Sequence, residues 1–378
     1  MAQDDEARHF LRSALDLRFV RVDLLHYELP EGAIAQRPAE RRDMARLMVV
    51  GRDGLDDRSV ADWPALVAPG SLVVLNDTRV VRARLLGKKA RTGGKAELLL
   101  VDRASEAALA EPGRGEGELW RALGKGLRGL VGQELVFGEG SLVAVVLGES
   151  ATNGLFDVRI RSSAGPVDDA VALHGHLPIP PYIRRDDDAN DAERYQTIYA
   201  TTAGAIAAPT AGLHLTQAML DDLARHQVRV ACLTLHVGLG TFQPVAAEDL
   251  DDHPMHAEWM QVPEALVREV RDARERRAPV VAVGTTVVRA LETAADPHRP
   301  GCVLLHEGET RLLIQPGYPF RVVDAMLTNF HLPRSTLLSL VAAFAGRSRV
   351  LDAYREAVRR GYRFYSYGDA MWIPARLS

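Results

Sequence analysis

The chain has 378 residues, 47% hydrophobic and 25% charged, with a formal net charge of −4. That balance excludes a disordered chain or one dependent on staples, allows one large or two ordinary domains, and argues against a general nucleic-acid coat, which needs positive charge. The opening MAQDDEARHF lacks a signal-peptide core, no apolar run is long enough to span a bilayer, and Cys232 and Cys302 are the only cysteines, so the expectation is a cytoplasmic protein with inert thiols and no membrane partner.

Taken in order, the first third carries basic clusters at Arg37 to Arg46, Arg79 to Arg91 and Arg121 to Arg128. Singly each reads as a solvated face; together they form a candidate footprint for a nucleic-acid backbone. Leu75-Asn-Asp-Thr-Arg79 ends a strand in polar residues, where Asp77 and Arg79 either pair to fix a domain joint, the commoner role, or face a cleft. From about Pro69 to Ser162 short β segments are broken by glycines: Leu72 to Leu75, Ala96 to Val101, Glu118 to Leu123, Glu134 to Phe137, Leu142 to Leu147 and Leu155 to Ile160. This pattern predicts a small antiparallel barrel, residues 69–162, inserted into a discontinuous α/β domain of residues 1–68 and 163–378, with Gly113 to Gly117 as a loop tip. Asp186 to Glu193 is mostly acidic and reads as a mobile loop.

The stretch Arg194 to Val245 organises the rest. Ala207-Ala-Pro-Thr210-Ala-Gly212 is too small-sided to fill a core and suits close approach of backbone to a ligand. Thr216 is placed to cap a helix carrying Met219, Leu220 and Leu223, and Val228 to Leu235 reads as a buried strand. His214 and His236 then sit at the ends of neighbouring elements, where open α/β sheets bind ligands. Gly238-Leu-Gly240 lacks the third glycine of a dinucleotide fingerprint, and no nucleophile elbow or phosphate-cradling loop appears.

Downstream, His253-Pro-Met-His256-Ala-Glu258 has metal-ligand residue types without zinc-type spacing, so the functional alternative is that His256 and Glu258 form an acid/base pair or hold substrate polar groups. Pro263 is suited to open a helix with Leu266, Val267, Val270 and Ala273 on one face. Val280 to Val283 followed by Gly284-Thr285-Thr286 reads as a strand, a tight turn and a helix N-terminus; a plain βα connection is the bland reading, anion binding with Arg289 and Glu292 one turn further in the sharper one. Asn329 and His331 in TNFHLP sit at a strand-to-helix junction, where they serve either structure or the reading of a base edge or of a cofactor's adenine. Leu337, Leu340, Val341 and Phe344 mark another helix, and Ser348 is placed to cap a last one that ends at Gly361.

Ten segments in order, ELPEGAIAQRP, VVLNDTRVVRARL, LPIPPYIRR, RYQTIYA, AAPTAGLHLT, TLHVGLGTFQPV, HPMHAEW, VAVGTTVVRALET, TNFHLPRSTLLSL and YRFYSYGDAM, run from Glu28 to Met371. Through them the chain resembles the S-adenosylmethionine:tRNA ribosyltransferase-isomerase family of queuosine biosynthesis. The resemblance implies a barrel-like α/β domain interrupted by a small β-barrel. It also implies a transferase that moves and isomerises the ribosyl part of S-adenosylmethionine onto 7-aminomethyl-7-deazaguanine (preQ1) at wobble position 34 of tRNA, releasing adenine and methionine. A monomer acting on tRNA with a GUN-type anticodon is expected.

In such a reaction the sulfonium acidifies the neighbouring ribose C5′ protons, so an unprotonated base is needed; His214, His236, His256, Glu258 and His331 are the proton-transfer candidates. Asp77, Arg79, Arg194, Tyr195, Thr210, Gly212, Gly238, Thr241, Phe242, Thr285, Thr286, Arg289 and Asn329 form the expected substrate-binding set, with Phe242 or Tyr195 offering an aromatic face to the sulfonium. All product atoms come from the two substrates, so no cofactor or metal is expected, S-adenosylmethionine being a consumed co-substrate. A base splayed from a loop needs an aromatic and basic flanks, which Tyr182-Ile-Arg184-Arg185 and Tyr362-Arg363 offer. Two departures from the family pattern, Leu215 after the AGLH histidine and Gln315 before Pro316-Gly317, bear on pocket packing. Rival readings are an RNA methyltransferase, disfavoured by the missing early glycine-rich βα loop, and a non-catalytic tRNA-binding protein.

Overall fold

The computed structural model describes residues 20–104, 116–151, 154–241, 245 and 247–378. The large sheet contains β1 (Arg46–Val50), β2 (Leu55–Ser59), β3 (Leu72–Asn76), β12 (Arg229–Leu235), β13 (Glu258–Val262), β14 (Val280–Val283), β15 (His306–Thr310), β16 (Ala325–Asn329) and β17 (Ala370–Ile373). Its nine strands run in the order β15-β13-β12-β3-β14-β16-β17-β1-β2, with β12, β3, β14 and β16 parallel to one another.

Period-two burial splits the side chains of these strands between two apolar layers. Leu72, Val74, Val280, Ala282 and Met326 pack on one face with the helices Glu264–Glu275, Thr285–Thr293, Thr336–Ala345 and Arg347–Arg359. Val73, Leu75, Val281, Val283 and Leu327 pack on the other with Trp63, Met219 and Leu223. A sheet covered on both faces explains why its central strands read as continuous apolar runs.

The second sheet is a closed antiparallel barrel of β5 (Arg84–Lys89), β6 (Lys95–Arg103), β7 (Glu118–Leu123), β8 (Glu134–Phe137), β9 (Leu142–Glu149) and β10 (Phe156–Ser162), joined in the order β10-β7-β6-β5-β8-β9. Leu85, Leu98, Leu100, Leu135, Phe137, Val146 and Ile160 fill it. A two-stranded parallel ribbon, β4 (Thr78–Val80) with β11 (Thr202–Ala205), forms a third, separate sheet.

Several local expectations need correction. Leu72 to Leu75 belongs to the middle of the large sheet rather than to the barrel, because both of its faces are apolar and find parallel partners in β12 and β14. The sixth barrel strand is β5, hidden in a run that reads as a basic cluster. Ser348 lies inside its helix; Gly346, at φ 86, ends one helix and starts the next. The acidic stretch is tied down rather than loose. Asp187 takes His176 and the Leu177 amide, and buried Asp191 takes Arg185 and the Tyr367 hydroxyl. Gly113 to Gly115 lie outside the described residues. The expected cap at Thr216 does close on Met219 at 3.3 Å, while the helix Thr336–Ala345 is capped by Ser335, a residue not singled out in the sequence, on the Leu338 amide at 3.1 Å.

Candidate active site

Strands β3, β12, β14 and β16 end at Asn76, Leu235, Val283 and Asn329, the end of a parallel sheet at which ligands bind. Over that edge lies an open cleft walled by Ala208 to Ala211, Val237, Gly240, His253, Met255, His256, Glu258, Gly284 to Thr286, Arg289, Leu312 to Ile314, Thr328, Asn329, His331, Thr336, Leu337, Leu340, Tyr365 and Ser366. The wall is built by turns that end strands, with polar groups spaced among apolar ones.

Gly284, at φ 96, makes the sharp turn that only glycine takes freely, and it delivers Thr285 and Thr286 to the cleft with the positive end of the helix Thr285–Thr293. One turn on, Arg289 and Glu258 form an ion pair with both side chains nearly inaccessible to water. The second oxygen of Glu258 accepts from the Gly238 amide at 2.9 Å, and Arg289 Nε donates to the Leu312 carbonyl at 3.0 Å. Arg289 Nη2 is buried with no partner, which leaves a cationic donor in the wall. A pair this dry is held by its surrounding hydrogen bonds, since desolvation offsets most of the Coulomb attraction. Glu292 points away from this pair, and its carboxylate accepts from the amides of Arg321, Val322 and Val323 at 2.9 to 3.0 Å.

His331 is buried beside Thr328, whose hydroxyl lies 2.9 Å from Nε2, and the Tyr27 hydroxyl donates to its carbonyl at 2.5 Å. Burial holds its pKa down at about 3, so the ring is neutral. His253 and His256 share the wall; burial, with His256 adding to it, lowers the pKa of His253. Among the described residues no group of three or more His, Cys, Asp or Glu is arranged to hold a metal ion. Tyr365 stands in the left-handed region at φ 74, a conformation that costs a non-glycine residue about 1–2 kcal/mol; its amide donates to the Phe330 carbonyl at 3.0 Å.

Thr210, His256, Glu258, Thr285, Thr286, Arg289, Asn329 and His331 therefore lie together on one cleft. Other expected site residues lie elsewhere, each for a legible reason. Asp77 and Arg79 do not pair: Asp77 accepts from Thr234 and Thr201 at 2.7 and 3.1 Å, and Arg79 donates to the Ala200 carbonyl at 2.6 Å. Arg194 clamps the Ala39 and Glu40 carbonyls, and Tyr195 is fully buried edge-on to Tyr367. Gly212 is small to admit the Tyr199 hydroxyl, which an added Cβ would overlap. Gly238 acts through its amide on Glu258.

His236 stacks on Trp259 at 4.9 Å and pairs with the Thr78 hydroxyl at 2.8 Å, its pKa lowered by burial. His214 lines a smaller recess with Arg42, Arg194 and Tyr367. Thr241 is described only along its backbone, and Phe242 lies outside the described residues. Arg184 and Arg185 are engaged by Glu31 and Asp191, and Tyr362 is buried on Asp57. Leu215 packs in the core behind the sheet and Gln315 bonds Asp251 at 2.7 Å, and neither lines the cleft. Sequence reading missed Thr328, Tyr365 and Ser366. The last two lie in YSYG, where aromatic content was the signal and Tyr362 drew the attention.

The family described as "Queuosine biosynthesis protein" matches residues 22–373. The chain is 54% identical to the S-adenosylmethionine:tRNA ribosyltransferase-isomerase of Sorangium cellulosum, over 94% of this chain and 98% of that one. It is 50% identical to the protein of that name from Anaeromyxobacter dehalogenans, over 94% and 100%. The crystal structure of S-adenosylmethionine tRNA ribosyltransferase from Thermotoga maritima is similar at 36% identity and a TM-score of 0.51, covering 93% of this chain and 99% of the other. On a match that spans the large sheet, the barrel and every described wall of the cleft, the chain belongs to the queuosine biosynthesis protein family.

Proposed function

We propose that the chain transfers and isomerises the ribosyl moiety of S-adenosylmethionine onto preQ1 at position 34 of a tRNA with a GUN-type anticodon, giving epoxyqueuosine-tRNA, adenine and methionine. The observation that carries this reading is a cleft at the carboxyl ends of four parallel strands, with histidines, a helix N-terminus and a dry Glu258–Arg289 pair, in a chain about half identical to enzymes of that name. The chemistry needs a base for the ribose C5′ proton, donors for the departing adenine and an anion site for the methionine carboxylate. His256 beside Glu258 supplies the first, and Thr285, Thr286 and the free Nη2 of Arg289 supply the last. Every product atom comes from the two substrates, so the balanced reaction calls for neither a redox cofactor nor a metal. The working unit is a monomer in the cytoplasm, where its tRNA is found.

The test is incubation of the purified chain with S-adenosylmethionine and a tRNA carrying preQ1, with mass spectrometry of small molecules and nucleosides. Adenine and methionine released in step, with a ribosyl-derived mass on the deazaguanine, is the expected outcome. S-adenosylhomocysteine would point to a methyltransferase instead, and tRNA binding without turnover to a non-catalytic role. His256→Ala is expected to lower turnover about 100-fold or more, the range of a lost general acid or base; an unchanged rate removes His256 from the mechanism.

A further inference from the structure

Asn329 ends β16 on the cleft wall, and only 1% of it is exposed. Its carboxamide nitrogen is engaged inside the protein twice, with the Tyr365 carbonyl at 3.0 Å and with Nε2 of His214 at 3.3 Å. A carbonyl only accepts, so the amide orientation is dictated: turned over, it would set oxygen against oxygen. Both hydrogens of Nδ2 are then used. What remains is Oδ1, buried and without a hydrogen-bond partner in the protein, a state that native structures rarely leave unanswered.

The supports of this amide are themselves fixed. The Tyr365 carbonyl also accepts from the Gly368 amide at 2.9 Å, and Tyr365 stands at φ 74 with its own amide held by Phe330. His214 is 5% exposed and lies in the neighbouring recess rather than on the cleft wall. Because its Nε2 accepts from Asn329, its proton belongs on Nδ1. A ring protonated at both nitrogens would set N–H against N–H and turn the amide over. The lone pair that a general base would use is already occupied.

We propose that His214 is a positioning residue that locks the Asn329 carboxamide, and that Asn329 Oδ1 is the acceptor by which the cleft selects a substrate amino group. Two amino groups enter the proposed reaction, the exocyclic amine of adenine and the aminomethyl group of the deazaguanine. A fixed carbonyl oxygen accepts from either and repels a keto oxygen in the same place, and rejection by an unpaired buried polar group is strong. This assignment rests on the reaction proposed above, and its test separates the two.

Turnover of the wild-type chain tests the parent reaction alone, whereas affinity for S-adenosylmethionine without tRNA, measured by calorimetry, compares variants whether or not turnover occurs. If the adenine amine is selected, the wild type binds S-adenosylmethionine about tenfold or more tighter than its deaminated analogue, in which hypoxanthine replaces adenine. Asn329→Ala and His214→Ala both bring that ratio close to one. If the aminomethyl group is selected, the ratio stays unchanged in Asn329→Ala and the KM for preQ1-tRNA rises about tenfold instead. His214→Gln sets an amide oxygen where Nε2 accepts and cannot titrate, so it recovers most of the activity that His214→Ala loses and keeps the wild-type pH profile. The proposal is overturned if Asn329→Ala moves neither the analogue ratio nor the tRNA KM, or if His214→Gln is as inactive as His214→Ala. Should His214→Ala fail to fold, Asn329→Ala and His214→Gln carry the decision.

Discussion

At the scale of single residues, burial sets the protonation of the two deepest histidines. The pKa of His331 is held at about 3 and that of His214 at about 4, both chiefly by desolvation; around His214, Asp369 pulls upward while Arg363 and Arg42 pull downward. These rings are neutral in the fold and protonate near pH 6.5 once unfolded, so the unfolded state binds more protons in between. Stability is therefore fully present above about pH 6.5 and declines as the pH falls toward 4 and 3. Between pH 7 and pH 5 each buried ring is expected to remove about 2 kcal/mol, with His236 and His253 adding in the same direction. Urea unfolding at the two pH values measures this, and His331→Gln should flatten the slope; equal stability at both would mean that these rings are not held neutral.

At the scale of elements, the cleft depends on how its turns pack from behind. Thr210 and Ala211 reach the wall because the next residue, Gly212, lets the short helical turn Thr210–His214 sit against the Tyr199 hydroxyl. Gly212→Ala is expected to cost about 1–3 kcal/mol through overpacking and to raise the KM for S-adenosylmethionine. Adding Tyr199→Phe, which removes the colliding oxygen, should recover much of both. Thermal melting with steady-state kinetics reads the pair; a double variant no better than the single would place the strain elsewhere. The same logic accounts for several residues that looked functional in sequence. Gly212 seats the turn that carries Thr210 and Tyr195 packs with Ala208 and Leu213 on either side of it, whereas Arg194 holds the Ala39 and Glu40 carbonyls.

At the scale of the whole molecule, the three basic clusters separate once their partners are known. Arg37, Arg46, Arg84, Arg121 and Arg128 face Asp188, Asp57, Glu97, Asp102 and Glu149, so their charge is largely answered within the protein. Lys88, Lys89 and Arg91, on and just beyond β5 of the barrel, have no carboxylate within 4.0 Å among the described residues. With exposed Arg82 and Lys125 they belong to the part of the expected footprint still available to phosphate. Replacing all three by Ala should weaken tRNA binding and lower the slope of log affinity against log salt by about 0.7 to 0.9 for each phosphate no longer neutralised. Filter binding across a salt series measures it, with S-adenosylmethionine affinity as the internal control; an unchanged slope would take the barrel out of the footprint.

What the amino-acid sequence determined by itself is local. The βα turn at Gly284, the helix cap at Thr216, five of the six barrel strands and the polar ends of β14 and β16 follow from periodicity and capping chemistry, which act over a few residues. Ten ordered segments pointed to the family. Only the tertiary structure decided which of the crowded polar residues share a wall. His214 and Asn329 are 115 residues apart and Glu258 and Arg289 31 apart, and their pairing depends on strand order. Strand order placed β3 beside β12 and β14 rather than in the barrel, because hydrogen bonding between strands and the covering of two apolar faces are satisfied by the assembled sheet and not by any segment of it.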